Sequence, residues 1–423
     1  TEGHTLDADI SAVYLAESRE VSISCLLSDF ALNGVSDLVP QLPDLGGVDV
    51  VADVHLELLF DRDLELLYGS FLIDAQAGRI DLPAVFEEAF DIGPSLAQGS
   101  LRPGFSGLEV TDLELDLGIE EVHARIVLDG FTLDANLDAL FDIAGLPIGD
   151  LSRYWPVPVV KTARGWILEH VSSGVVDRAS IAFQASIEQL AAGQLPLESL
   201  IIDLDVSDVT IDYLSAMPKV RGFSGHVAVI DDTLRIDSSG GTVDGITSTR
   251  SVITMDALTG DAGMLIGAEM HGTVRDALLV ASHEPFALAS RVGIDPDLIA
   301  GTFDGRLEIV LPKLAGLTPA DVLYRVAADG HDVALTTELR GYALDGGSVT
   351  LLLDSEVALL EGNVRLNGVP FAGTYRHNFR PDAETLRVVN MRGRVDDADR
   401  AALGMVDPID IDGPVDVVLD MSQ

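Results

Sequence analysis

The chain is 423 residues long, room for about three average domains or one extended all-β body. It is 47% hydrophobic and 22% charged, with mean hydropathy +0.30, which excludes an intrinsically disordered chain. Sixty-nine acidic residues against 26 basic ones give a net charge of −43, which repels a phosphate backbone and argues against any nucleic-acid partner.

From the N-terminus, Thr1 stands where a start methionine would and no signal-peptide pattern follows it. No window reaches the roughly 18–20 apolar residues of a membrane-spanning helix, so an anchor or export signal is expected upstream of this chain. Cys25 is the one cysteine, which leaves stability to packing and hydrogen bonding. Apolar residues alternate with polar ones at Val54, Leu56, Leu58 and Phe60, the period of a strand with one wet face. Leu108 to Leu117 recurs as Leu204 to Tyr213. In both copies the apolar parity flips, at Thr111-Asp112 and at Ser207-Asp208, and a β-bulge there would keep the apolar side chains on one face.

Leu137, Leu140, Phe141 and Ala144, ending at Gly145 to Pro147, read as a helix. A second helix is expected through Ala163, Trp166, Ile167, His170 and Val171, with Thr162 to cap it and Gly174 to stop it. Alternation resumes at Leu307, Ile309 and Leu311, at Val349, Leu351 and Leu353, and at Val415, Val417, Leu419 and Met421. Asp129-Gly130, Gly346-Gly347 and Asn367-Gly368 mark tight turns. The expected organisation is a first β segment over 1–134, a helical element with both tryptophans over 135–175, and a second β segment over 176–423 continuous with the first.

Little in the chain announces chemistry. The nine histidines are dispersed, and no two share a metal-ligand spacing. Gly-Phe-Ser-Gly occurs at 104–107 and 222–225 without the pattern of a nucleophile elbow, so these glycines read as turn or bulge residues. No phosphate-binding glycine loop is present. No catalytic residue, cofactor or metal site is expected, and the chain reads as a non-enzyme. Asp61/Asp63, Asp203/Asp205 and Asp410/Asp412 suit calcium, or simply share the wet face of a strand. A calcium-stabilised acidic extracellular β-sandwich array, an adhesin or stalk, stays open as an alternative. Residues 151–168 hold Trp155, Trp166, Arg153, Lys161 and Arg164 and no acid. That composition suits lipid headgroups and a membrane interface, or a helix anchored on a sheet by its tryptophans.

Tyr154-Trp155-Pro156, Arg164-Gly165-Trp166 and the run from Ser173 to Ala179 resemble the signature of the AsmA-like superfamily, particularly its large YhdP-type periplasmic proteins. Leu288 to Leu311 and Glu361 to Gly413 resemble that family more loosely. The resemblance implies a mostly β fold: an elongated, twisted antiparallel sheet curled into a hydrophobic groove, here with a short helical interruption near 135–173. It implies a periplasmic protein of a Gram-negative bacterium, tethered to the inner membrane through a segment missing from this chain and carrying phospholipid toward the outer membrane. Its partners would be phospholipid acyl chains and proteins at the two membranes; the family brings no catalytic residues.

The residues lead the same way by a separate route. Strands aliphatic on one face must pair those faces in a sandwich, close them in a barrel or leave them lining a groove. Aliphatic lining suits acyl chains, and about 25 strands at about 4.8 Å each would extend roughly 120 Å. Under the groove reading, candidate lining residues are Leu113, Leu115, Leu204, Val206, Val209, Ile211, Leu351 and Leu353. The headgroup or membrane-interface candidates are Arg153, Trp155, Lys161, Arg164 and Trp166. Affinity would come from acyl burial, about 0.8 kcal/mol per CH₂, with headgroups read weakly.

Overall fold

A computed structural model describes residues 7–34, 46–214, 216–258, 262–284, 286, 288, 294–312, 321–336, 342–380, 385–405 and 412–423. Strands make up 61% of the described residues. Twenty-two of them belong to one antiparallel sheet that does not close, and three short ones form a second sheet. The chain divides into two compact units, Thr1–Val209 with His226–Asp232 and Thr210–Gly225 with Thr233–Gln423.

The first unit contains β1 (Asp7–Leu15), β2 (Glu20–Ala31), β3 (Val48–Asp49), β4 (Val51–Phe60), β5 (Leu66–Ala75), β6 (Gly78–Ile80) and β7 (Phe90–Ile92). It continues with β8 (Ser95–Leu101), β9 (Leu108–Glu114), β10 (Glu121–Asp129), β11 (Asn136–Pro147), β12 (Val171–Ser172), β13 (Val175–Ser186) and β14 (Ile201–Ile211), of which the last two residues fall to the second unit. Its ladder runs β1–β2–β4–β5–β8–β9–β10–β11–β13–β14, antiparallel at every step. The short strands β3, β6 and β7 pair with one another.

Between β11 and β12 the chain leaves the sheet through a 3₁₀ turn at Ile148–Asp150 and two helices, α1 (Leu151–Tyr154) and α2 (Lys161–His170). A third, α3 (Ile187–Ala191), carries a capping box between Ser186 and Gln189. The helix expected over Leu137 to Ala144 is instead strand β11. Leu137, Ala139, Phe141 and Ile143 share one face and pair with both β10 and β13, so the helical interruption begins at Ile148. The α2 start also differs, since Val160 rather than Thr162 occupies the cap position and makes no side-chain cap bond.

The bulge expected at Thr111-Asp112 is present. Ala97 faces Leu113 and Gly99 faces Val110, which leaves one extra residue on β9. In the second copy Asp208 adopts φ +54°, the left-handed backbone a bulge uses. A buried cluster of Val50, Ala52, Val54, Ala75, Phe90 and Ile92, with Tyr154 and Phe86 against it, sits where the small sheet meets one end of the large one.

β15 (Val220–Ile230) follows β14 in the chain. The second unit then contains β16 (Thr233–Val243), β17 (Ile246–Met255), β18 (Met264–Thr273), β19 (Ile299–Leu311), β20 (Leu323–Leu335), β21 (Leu344–Asp354), β22 (Val357–Leu366), β23 (Val369–Asn378), β24 (Arg387–Val395) and β25 (Val415–Ser422). Each pairs antiparallel with the strand before it, from β16–β17 to β24–β25. Asn367 and Gly368 have φ of 50° and 81° and close the β22–β23 hairpin as expected, and Asp244-Gly245 does the same for β16–β17. Gly346-Gly347 is not a turn; it lies inside β21 at a register shift, a bulge opposite β22.

Two helices, α4 (Val274–Ala281) and α5 (Asp397–Ala402), follow β18 and β24, capped by Thr273 and by the Asp396/Asp399 box. The register puts both at the same end of the strands. Buried Val369, Phe371, Val395 and Leu403 gather at that end.

Gly174 has φ +90°, and a Cβ there would lie 2.6 Å from the Ser207 carbonyl oxygen and 2.8 Å from Val209 Cα. Gly174→Ala should therefore lower stability by about 1–3 kcal/mol, read from the urea midpoint. Gly165 lies inside α2 with open space around it, and Gly165→Ala should be neutral or stabilising by up to about 1 kcal/mol in the same titration.

Candidate functional site: an uncovered aliphatic face

The strand pairings line up apolar residues in rows. In the first unit one row runs Ala8, Leu27, Val54, Ile73, Ala97, Leu113, Ala124, Phe141, Ile181, Ile202, each opposite the next, across ten strands without a polar side chain. In the second, Met270, Gly305, Ala328, Leu351, Leu360, Tyr375, Val389 and Met421 form a row across eight strands.

Many of these residues are only half-buried. Close backbone contacts between strands are those of ladder neighbours, and the helices touch strand ends; in the first unit the small sheet, Phe86 and Tyr154 pack against the face around Val54. The opposite face is polar. Arg178 and His226 bridge Asp203 and Asp205, Arg306 pairs with Glu269, and His123 with Asp112 and Glu121.

The expected lining residues fall in several surroundings. Leu113, Leu204, Val206, Leu351 and Leu353 are half-buried on the apolar faces, Leu351 between Ala328 and Leu360 and Leu353 between Val326 and Ala358. Leu115 lies just past the end of β9, its amide bonded to the Val122 carbonyl. Ile211 is half-buried at the end of β14. Val209 is 2% exposed and packs over Gly174.

The basic, aromatic island divides. Arg164 is buried and donates to the Trp155 and Ser152 carbonyls at 3.1 and 3.0 Å and to Glu87 Oε2 at 2.8 Å. The Trp155 indole donates to the Val159 carbonyl at 2.9 Å. These two hold the segment together. Lys161, Arg153 and Trp166 are exposed; Arg153 lies 3.7 Å from Asp150 and Trp166 stacks on His170 with ring centroids 4.9 Å apart.

Of the aspartate pairs, Asp61 accepts from the amides of Asp63 and Glu65, Asp63 pairs with Arg62, and Asp203 and Asp205 are held by arginine and histidine. Asp410 lies outside the described residues, as do 289–293 of the Leu288–Leu311 resemblance. One group sequence spacing did not disclose is Asp112, Glu114 and His123 on the polar face, whose ligand atoms lie within 4.8 Å of one another. The β9–β10 pairing brings them together.

A second such group lies on the apolar face of the second unit. His377 is 3% exposed, with Nδ1 3.1 Å from the Tyr375 hydroxyl, and Arg387 stands opposite it on β24. Burial pushes the Tyr375 phenol up, and the positive charge of Arg387 acts against that rise. The signal was present in sequence, because Arg387 has the parity of Val389 and Met391.

An open antiparallel sheet with one charged face and one aliphatic face, much of it half-buried among the described residues, defines a class of protein that presents apolar surface along its strands. A family model described as "YhdP protein" matches residues 23–312, and the chain belongs to the YhdP family. That membership associates it with AsmA-like lipid-transport proteins in general. No curated protein and no solved structure matches the chain.

Arg164→Ala strips charged donors from two carbonyls and should destabilise the chain by about 2–4 kcal/mol, with the loss appearing first in the tryptophan fluorescence transition. The His226 imidazole, then the Arg178 guanidinium, hold the Asp205 carboxyl below the ordinary carboxylate range. A depressed carboxyl contributes stability above its unfolded value of about 3.9 and loses it as pH falls through the folded value. The melting-temperature gap between wild type and Asp205→Asn should therefore close as pH falls below about pH 4.

Proposed function

We propose that this chain is a periplasmic segment of a bridge-like lipid-transport protein, tethered to the inner membrane through a segment outside this chain. It holds phospholipid acyl chains along its aliphatic faces during transfer between the inner and outer membranes. It acts by binding, without catalysis. The observation that carries this reading is the ten-strand row from Ala8 to Ile202, apolar throughout; its Val54 joins the buried cluster beside the small sheet, whereas Leu113, Phe141, Ile181 and Ile202 stay half-buried.

Membership of the YhdP family supports the same reading. So does the state of the sheet edges. Among the described residues β1 pairs only with β2 and β25 only with β24. Ile10 and Tyr14 on β1 are 65% and 62% exposed. In a bridge such edges are where further strands would add. The exposed Trp166, Lys161 and Arg153 are then placed for a headgroup or membrane surface, while Arg164 and Trp155 keep their segment rigid.

Native mass spectrometry of the purified chain, followed by lipid extraction, should find co-purifying phospholipid. Leu351→Asp places a carboxylate on the half-buried row and should cut that loading by about tenfold or more while leaving a folded protein. Full loading of the folded variant would sink the proposal, and a variant that does not fold would point to a closed core instead.

A further inference from the structure

Along β16–β25 the described strand residues on the apolar face include a single charged side chain, Arg387. A guanidinium on such a face costs free energy unless an anion or several acceptors meet it. Beside it on β23, one and two positions along the same rows, stand the only imidazole and one of the two phenols of that face, His377 and Tyr375. We propose that Arg387, Tyr375 and His377 form a binding site for the phosphodiester of a phospholipid whose acyl chains lie on the adjoining rows. The proposal rests on the acyl-binding reading above and adds a headgroup contact to it.

The chemistry matches the group. One guanidinium supplies the single positive charge a phosphodiester needs, in a fork that meets two oxygens at once. When His377 carries its proton on Nδ1 it donates to the Tyr375 oxygen, 3.1 Å away, and the phenol's own hydrogen is left to point at a ligand. Burial and the Phe379 ring, 4.9 Å from His377, hold the imidazole in place. Arg387 and His377 also make contacts within the protein, so the group is ordered before a ligand arrives.

Position argues the same way. His377 is the last residue but one of β23 and Arg387 begins β24, so the three lie at the strand end away from α4 and α5, on the margin of the aliphatic face. Leu351 and Leu360 lead up to Tyr375 along one row, and Val389 and Met421 continue beyond it. A lipid lying there would have its phosphate at the margin and its chains on the apolar rows.

The test uses the delipidated full chain, a fluorescent phosphatidylethanolamine, and a fluorescent diacylglycerol with the same acyl chains. Wild type should bind the phospholipid roughly tenfold more tightly, and Arg387→Leu should bring the two lipids level without weakening diacylglycerol. Equal binding by wild type, or a ratio unchanged in Arg387→Leu, overturns the headgroup site and leaves acyl binding standing. Failure of wild type to bind either lipid sinks the acyl reading, and this site with it. If Arg387→Leu does not fold by circular dichroism, Arg387→Lys and Tyr375→Phe decide. Each should lower the ratio, and an unchanged ratio in both overturns the site. Inorganic phosphate alone, followed by ³¹P line broadening, separates the two sources of the anion. No Arg387-dependent broadening is expected, and its appearance would replace the lipid assignment with a free-phosphate site.

Discussion

The sheet depends on keeping one parity in phase from strand to strand. A slip of one residue would carry every apolar side chain of a strand to the charged face, and a chain this acidic has nowhere to hide such an error. Irregularities occur along the ladders, yet the apolar rows survive them. The extra residue at Thr111 lets Val110 and Leu113 share a face although their numbering has opposite parity. Asp208, with its left-handed backbone, sits where Val206 hands over to Val209. Gly346 does comparable work inside β21, where the register shifts between Asp345 and Ser348. These bulges keep the face continuous.

This constraint also explains what was legible in the sequence. Period-two alternation at Leu351 and Leu353 names the face directly, and the parity flip at Thr111-Asp112 located a bulge. The misread segment was Asn136–Pro147, because Leu137, Leu140, Phe141 and Ala144 satisfy a helical spacing while Leu137, Ala139, Phe141 and Ile143 satisfy a strand. Two neighbouring strands were waiting to pair with it, and long-range pairing overrode local periodicity. Gly346-Gly347 misled in the same way, since glycine serves a bulge as well as a turn.

Two arginines mark the limit of reading from sequence. Arg164 belonged to a stretch whose composition suited a membrane surface, but its acceptors are backbone carbonyls nearby and a glutamate 77 residues earlier. Nothing local discloses Glu87 as a partner. Arg387 shows the reverse case, for its parity with Val389 was visible and its significance was not. Only the register that sets it opposite His377 makes it the one charge among the described strand residues on the apolar face of β16–β25.

An aliphatic face without a second layer is unfavourable in water by about 25 cal/mol per Å², and the same surface on another copy would be its natural cover. The net charge of −43 opposes that association, because bringing two such chains together multiplies the repulsion between their polar faces. An acyl chain carries no charge and meets no such barrier. Under the proposed function, an acyl chain passing from a bilayer to the sheet would exchange one hydrocarbon surrounding for another, so the net change would reflect only how much of it stays wet. Movement along a conduit needs binding favourable enough to enter and weak enough to leave. In the proposed conduit, rows of leucine, isoleucine, valine and alanine, repeated across the described strands, would supply that evenness, and an occasional polar group at the margin would orient a lipid without trapping it.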